Sequence, residues 1–453
     1  MKERIEELLE AKKIGEISRL FAENEPADIA EVLGEFGDEY LSRLYRILPK
    51  DLAAEVFVEM DTDEQEMLIK AFTDKELREV MDELFLDDAV DIIEEMPASV
   101  VKRILANTKA DDRKVINELL KYPKDSAGSI MTTEYIALKA GMTVKEAIER
   151  IRAVALDKET VYTCYVTDRS RKLIGVTTVK DMLIAGDDTL ISAIMEEAVV
   201  SAYTGDDKED VADMMSRYDF LALPIVDAEG RLVGIVTVDD AMDVIEEAAS
   251  EDMEIMAAIT PTETDTPYLK TAVLSLFRSR IPWQLILMIS ATFTGMIIAG
   301  FEDKLAACAV LTAFIPMLMN TGGNTGSQAA VTVIRAISLK EVEFRDTFRV
   351  IWKEIRVAVL CSIALAVVNF FKVILVDGML LSNPAVTPEV AAVISITLVV
   401  TVLCSQLVGC TLPILADKLG LDPAVMSSPF ITTIVDAVSL LIYFAVASAI
   451  LGI

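Results

Sequence analysis

Residues 429–436 read Pro429-Phe430-Ile431-Thr432-Thr433-Ile434-Val435-Asp436. They place an acid inside the apolar stretch 425–452, which exceeds the ~20 residues a membrane-spanning helix needs. An aspartate at the bilayer centre costs ~2.5–3.5 kcal/mol on insertion scales. No basic residue in any apolar stretch stands at a similar depth to neutralise it. A cation is therefore its natural partner. The competing reading is a protonated aspartate hydrogen-bonded between helices.

Four further apolar stretches precede this one, at 281–300, 305–334, 352–376 and 390–416. Five spans are expected, forming a multi-pass domain in the lipid bilayer over residues 271–453. Arg278 and Arg280 precede the first stretch. Arg335, Lys340, Arg345, Arg349, Lys353 and Arg356 join the second to the third, and Lys418 joins the fourth to the fifth. Only Lys304 and Lys372 fall on the other side. The positive-inside rule puts the N-terminus in the cytoplasm and the C-terminus outside the cell membrane.

The second stretch contains Pro316-Met-Leu-Met-Asn320-Thr-Gly322-Gly323-Asn324-Thr-Gly326-Ser-Gln328. Proline removes a hydrogen bond and paired glycines loosen the backbone, so a break in the helix is expected here. Non-helical backbone at membrane depth is tolerated where it lines a cavity. Its carbonyls, with the Asn320 and Asn324 amides, would hold ion-bound water. Small residues that pack helices together are the alternative. Two asparagines and a glutamine exceed what packing requires.

Charge separates this part from the rest. The 453 residues hold 42 Lys and Arg and 73 Asp and Glu, a net charge of −31. Eleven of each sign lie after residue 270, so the whole excess falls in residues 1–270. Such a surface attracts cations and repels nucleic acid. The chain has no histidine. Any metal must be held by oxygen, which favours hard ions. Cys164, Cys308, Cys361, Cys404 and Cys410 form no CxxC pair and read as small buried residues. The opening MKERIEELLEAKKIGEI is charged, so no signal peptide is expected.

Residues 1–125 repeat. Pro26-Ala-Asp-Ile, Pro49-Lys-Asp-Leu, Thr73-Asp-Lys-Glu and Pro97-Ala-Ser-Val recur about every 23–24 residues, as in stacked helical hairpins. An all-α superhelical N domain is expected. Residues 126–250 hold a duplication with an offset of about 60 residues. Ile130-Met131, Thr143-Val-Lys-Glu-Ala-Ile and Leu173-Ile-Gly175-Val-Thr-Thr178-Val-Lys-Asp181 form one copy. Ile194-Met195, Asp207-Lys-Glu-Asp-Val-Ala and Leu232-Val-Gly234-Ile-Val-Thr237-Val-Asp-Asp240 form the other. Each reads strand, helix, strand, strand, helix. The pattern resembles a pair of CBS domains, an α/β tandem. By that resemblance Thr178, Lys180, Asp181 and Phe220 could line a cleft for an adenine nucleotide such as ATP. Threonine and aspartate at this spacing also cap a helix. Beyond them, 238–270 is expected to form one long linking helix interrupted by Pro261 and Pro267, with Asp240, Asp243, Glu247, Glu251 and Glu254 on one face.

The order of these parts resembles the MgtE family of magnesium channels over essentially the whole chain. The motifs at 316–328 and 422–436 carry the resemblance most specifically. It implies a multi-domain chain: an N domain over 1–125, tandem CBS domains over 126–250, a linking plug helix over 240–270 and five transmembrane helices. It implies a homodimer whose second and fifth spans line one pore, with Asp436, Asn320, Gly323, Asn324 and Thr432 along the ion path. It also implies regulatory Mg2+ ions. Asp87, Asp91, Asp207, Glu209, Asp219, Asp240, Asp243, Glu251, Asp252 and Asp422 are their candidate ligands. The expected function is Mg2+ uptake through a channel that intracellular Mg2+ closes. Oxygen ligands alone leave Mn2+ or Co2+ as an alternative cargo. An intramembrane enzyme is disfavoured, since histidine and paired intramembrane carboxylates are both missing.

Overall fold

The computed structural model describes residues 1–261, 268–380, 385–426 and 428–451, a few of them by backbone alone. The chain divides into two compact units, Met1–Ala248 and Ala249–Ile453.

In the first unit, ten short helices lead: α1 (Lys2–Glu10), α2 (Ile14–Ala22), α3 (Pro26–Gly34), α4 (Asp38–Tyr45), α5 (Lys50–Val58), α6 (Thr62–Ala71), α7 (Asp74–Met81), α8 (Leu86–Glu95), α9 (Ala98–Asn107) and α10 (Ala110–Leu119). The repeated Pro and Thr positions start alternate helices. Pro26 opens α3, Pro49 and Pro97 cap α5 and α9, and Thr73 forms a reciprocal capping box with Glu76 on α7. Proline costs nothing there, because the first N–H groups of a helix have no partner inside it. The apolar faces close on Ile29, Leu33, Phe57, Leu68, Leu77 and Ile104, all fully buried.

The duplication folds as two matching three-stranded sheets. In the first, β1 (Ile136–Leu138) runs parallel to β2 (Thr163–Thr167), which pairs antiparallel with β3 (Leu173–Thr178). Its helices are α11 (Val144–Val154) and α12 (Val179–Ile184), and a single turn, α13 (Ile191–Ile194), follows. The second repeats this with β4 (Ala202–Tyr203), α14 (Lys208–Tyr218), β5 (Ala222–Val226), β6 (Leu232–Thr237) and α15 (Val238–Met256). The two glycines of the repeat have one cause. A Cβ on Gly175 would lie 2.7 Å from the Met195 sulfur, and one on Gly234 would lie 2.6 Å from that of Met131. Each module's Ile-Met lead thus lies over the other module's glycine, and no larger residue leaves room.

Helix α15 ends sooner than the sequence suggests. It stops at Met256, where Ala258 takes a left-handed φ of 55° and the Ile259 amide donates to the Glu254 carbonyl at 2.9 Å. That is a Schellman-type stop. Pro261 follows it, and Pro267 lies outside the described residues.

The second unit contains α16 (Val273–Gly300), α17 (Glu302–Ala307), a 3-10 segment (Ala309–Phe314), α18 (Ile315–Ser338), a 3-10 turn (Phe344–Asp346) and α19 (Thr347–Lys372), which widens into a π-helical segment (Val373–Leu380). After these come α20 (Pro388–Lys418), a 3-10 turn (Pro423–Met426) and α21 (Ser428–Leu451). Among the described residues four helical stretches are long and apolar enough to cross a membrane: Val273–Gly300, Phe344–Leu380, Pro388–Lys418 and Pro423–Leu451. The expected stretch 305–334 is not one of them, because its break leaves α18 carrying the polar residues.

That break lies at Cys308–Phe314, before the Pro-Asn-Gly run and not within it. This corrects the sequence expectation. Helix α18 is continuous through Asn320–Gln328, and Pro316 falls in its first turn, where its missing N–H is not needed. The glycines serve close approach. A Cβ on Gly409 of α20 would collide with the backbone of Gly326, its carbonyl oxygen above all. One on Gly322 would lie 2.7 Å from Thr401 Cγ2 and 2.9 Å from Ser439 Oγ. Small-residue packing therefore explains the glycines, as in other membrane helix pairs. The asparagines remain for a different face.

Candidate cation site

Asn320, Gly323 and Asn324 fall at i, i+3 and i+4 on α18 and so share a face. Thr432 and Asp436 are four apart on α21. Together with Pro316 and Met319 they line one cavity of about 440 Å³. All five residues expected along the ion path therefore meet. Gly323 is needed because a Cβ would sit 2.9 Å from Thr432 Cγ2. Thr432 Oγ1 donates to the Pro429 carbonyl at 3.0 Å, which leaves the oxygen free to act as an acceptor. Asn324 Nδ2 donates to Asn320 Oδ1 at 3.4 Å. The lining holds one carboxylate, several neutral oxygens and no basic residue. Six waters at ~30 Å³ each occupy roughly 180 Å³, so a fully hydrated ion fits.

Asp436 is half-buried, and a second acid of this unit lies deeper. Glu354 of α19 is 8% exposed and accepts from Gln406 Nε2 at 3.1 Å. The sequence reading passes over it, because Lys353 and Arg356 make the segment look like a basic connection. An acid inside the stretch 352–376 was the available signal.

In the first unit, α8 carries Asp87 and Asp91 one turn apart, and α15 begins with Asp239 and Asp240. Asp88, Glu134 and Glu159 join the same field, and the Leu86 amide donates to Glu134 Oε2 at 2.9 Å. Burial, and then the charge of Asp88, pushes Asp87 up to about 7. Burial, and then Asp87, raises Asp240 to about 7 against the pull of its Thr237 hydrogen bonds. Glu159 reaches about 8 through burial and Asp87, and Asp88 about 6 through burial and Asp240. Asp91 is raised in the same way but stands exposed at the rim. Asp87 Oδ1 and Glu159 Oε2 are buried without a hydrogen-bond partner among the described residues. Among the described residues no three acidic side chains converge tightly enough to ligate one ion. The cluster is a crowded negative field, not a closed chelate. Asp88, Glu134, Glu159 and Asp239 were missed in the sequence, because topology and not spacing brings them here.

The other expected ligands divide. Asp207 accepts from the Glu209 amide at 2.9 Å and caps α14. Asp219 closes the far end of that helix in a left-handed conformation, φ 55°. At ~1.5 Å per residue the two lie roughly 18 Å apart and cannot share an ion within one chain. Both are exposed, as is Glu209. In the second unit Asp252 is raised by burial and then by the charge of Asp422, whose Oδ1 accepts from the Ala424 amide at 2.7 Å. These two approach each other. Asp243 and Glu251 lie on α15.

Of the nucleotide candidates, Thr178 and Asp181 form the capping box of α12, the Asp181 amide donating to Thr178 Oγ1 at 3.1 Å. Thr237 and Asp240 repeat the pairing on α15, with Thr237 Oγ1 donating to Asp240 Oδ2 at 2.6 Å. Lys180 is exposed, and the Phe220 ring stacks on Tyr218 with centroids 5.5 Å apart.

Three family descriptions match in order: the MgtE intracellular N domain over residues 24–125, the CBS domain over 127–188 and 191–247, and MgtE, divalent cation transporter, over 315–446. The magnesium transporter MgtE of Thermus thermophilus is 37% identical over 99% of this chain and 98% of its own length. The chain belongs to the MgtE family of magnesium transporters. It is a multi-pass membrane transporter with CBS domains, not an enzyme. The MgtE magnesium transporter of Bacillus subtilis is 32% identical over 98% of this chain and 95% of its own. Among solved structures, the cytosolic domain of the Mg2+ channel MgtE in complex with ATP aligns with a TM-score of 0.52 at 37% identity, covering 54% of this chain and all of that one. The soluble part of a magnesium transporter aligns at 0.51 and 33% identity, covering 54% of this chain and 96% of that one.

Proposed function

We propose that this MgtE family member is a Mg2+-selective channel for Mg2+ uptake, closed by intracellular Mg2+ at its acidic interfaces. The observation that carries the reading is the meeting of Asp436, Asn320, Asn324, Gly323 and Thr432 around one cavity wide enough for a hydrated ion. Helix α18 then acts as the second of five spans, lined by lipid-averse groups because it faces the ion path. The N-terminus lies in the cytoplasm and the C-terminus outside. In a homodimer each Asp436 faces its twin, and two carboxylates across an axis favour a divalent ion over a monovalent one. Mg2+ surrenders water reluctantly, so the carboxylates hold its hydration shell and the cavity selects by the size of the hydrated ion. Flux in liposomes tests this. Mg2+ should pass, and Ca2+, whose shell is larger and looser, should compete poorly. Equal or faster passage of Mn2+ or Co2+ would make one of them the cargo instead.

Gating rests on the acids. Asp87, Asp88, Asp91, Asp240 and Glu159 repel one another when cation is scarce. Bridging Mg2+ relieves that repulsion, and the same logic applies to Asp252 of the linking plug helix with Asp422, which precedes the turn before α21. Asp207, Glu209, Asp219, Asp243 and Glu251 supply the remaining acidic surface. The relative solved with ATP supports a nucleotide at the CBS pair, near Thr178, Lys180, Asp181 and Phe220.

Protons should substitute for the ion. Asp87, Asp88, Asp240 and Glu159 each have a folded value above the unfolded one, so the packed contact binds more protons than the separated one. Its stability is greatest below about pH 4 and is lost as pH rises to and through about 6 to 8. At pH 8 without Mg2+, the melting midpoint of the cytosolic part should be low. Lowering the pH to 6 or adding millimolar Mg2+ should raise it. Asp87→Asn should raise the pH 8 midpoint by roughly 5 °C and flatten its pH dependence. A midpoint that falls on acidification over this range would count against the field described.

A further inference from the structure

The second unit holds another cavity, apart from the Asp436 cleft. It measures about 720 Å³ and lies between the end of α18, the turn at Phe344–Asp346 and the start of α19. Arg345, Arg349 and Lys353 line it together with Glu341, Asp346 and Glu354. The charges do not simply cancel. Asp346 accepts from Arg349 at 2.9 Å and lies 3.9 Å from Arg345. Lys353 has no ion pair among the described residues. Glu354 is the buried member, and among the described residues its carboxylate is met only by the Gln406 amide. Behind it Gln406 Oε1 is buried with no donor. The inner wall therefore has surplus acceptors, while the mouth presents cations.

Beside the mouth, Phe348 and Trp352 stand 85% and 62% exposed on α19, and the Arg356 guanidinium lies over the Trp352 ring. Aromatic rings beside Arg and Lys at a helix end mark the level of lipid headgroups. Three cationic side chains make the cavity a poor place for a divalent metal ion. A ligand of mixed charge suits it, with an N–H-bearing cation inward and an anion outward.

We propose that this cavity binds the headgroup of a zwitterionic aminophospholipid. The ammonium donates to Glu354, the phosphate meets Lys353 and Arg349, and the acyl chains run along Phe348 and Trp352. Phosphatidylglycerol would bring hydroxyl donors but no cation to the inner carboxylate, and a choline headgroup would bring methyl groups where donors are required. A buried carboxylate without a charged partner is costly, and the ammonium supplies that partner.

The test is lipid retention by the purified full-length protein, measured by native mass spectrometry with phosphatidylethanolamine, phosphatidylcholine and phosphatidylglycerol added singly. Phosphatidylethanolamine should be retained roughly tenfold better than phosphatidylcholine, the value of one charge-assisted hydrogen bond. Glu354→Gln should remove that preference. Lys353→Ala should weaken both lipids alike. Equal retention of the two, stronger retention of phosphatidylglycerol, or a preference unchanged in Glu354→Gln would overturn the proposal. Should Glu354→Gln fail to fold, the headgroup series on the unaltered protein decides alone.

Discussion

Asp436→Ala should abolish Mg2+-dependent growth of a strain that lacks other Mg2+ uptake systems, and should lower liposome flux by at least roughly 100-fold. The cavity it lines contains no other carboxylate and no basic residue. Its neutral oxygens can order water around an ion, but only Asp436 supplies charge. Removing it leaves a polar cleft in an apolar surrounding, with nothing to offset the desolvation of a divalent ion. Asp436→Asn should fail almost as completely, because it keeps the shape and loses the charge. Thr432→Ala should cost less, since that hydroxyl already donates to Pro429. Normal growth of Asp436→Ala at low Mg2+ would sink the pore assignment. The Asn variant guards against mistaking a packing defect for a transport defect.

Gly409→Ala should strike the fold itself. A single methyl there would overlap the Gly326 carbonyl, which belongs to the backbone of α18 and cannot rotate away. Overpacking usually costs 1–3 kcal/mol when side chains can adjust. Here a helix must move, and the strain passes on toward α21, because Gly322 and Gly326 of α18 also pack closely against the Val435 side chain. The expected readout is loss of the folded peak in detergent size-exclusion, or a melting midpoint lower by about 10 °C. Gly295→Ala on α16, with open space around it, is the matched control and should be silent. A Gly409→Ala protein as stable as that control would show that the α18–α20 approach is not required.

The glycines show where sequence reasoning succeeds and where it stops. In the first unit, Gly175 and Gly234 recur at the same place in two copies, with Ile-Met leads at a fixed offset. The repetition itself reveals a module, and the packing of sulfur over glycine explains it. In the second unit, Gly322, Gly323 and Gly326 occur once. Their composition fits either a broken helix or a tightly packed one, and only the partner helix decides. The break was real but lay upstream, at Cys308–Phe314, where nothing in the local residues announces it. The cavity at Asp436 was legible because both its walls carry their polar residues at helical spacing. The acidic field at Asp87 was half legible. Asp87, Asp91 and Asp240 could be named, but Glu134 and Glu159 sit in connections whose course depends on the CBS sheets. Glu354 was visible and misread, since a charge beside other charges looks like surface until a buried glutamine is found against it.

The two Thr-x-x-Asp boxes are one element occurring twice, and they have come to do unequal work. Asp181 stands exposed at the head of α12 and serves its cap. Asp240 makes the matching bond to Thr237 while lying in the field of Asp87. Duplication thus delivered a carboxylate already anchored by a structural duty to the place where a charge would later matter. Losing Asp240 would therefore fray a helix as well as silence a contact. Its twin Asp181, exposed at its helix head, keeps the cap and a place beside the proposed nucleotide cleft instead.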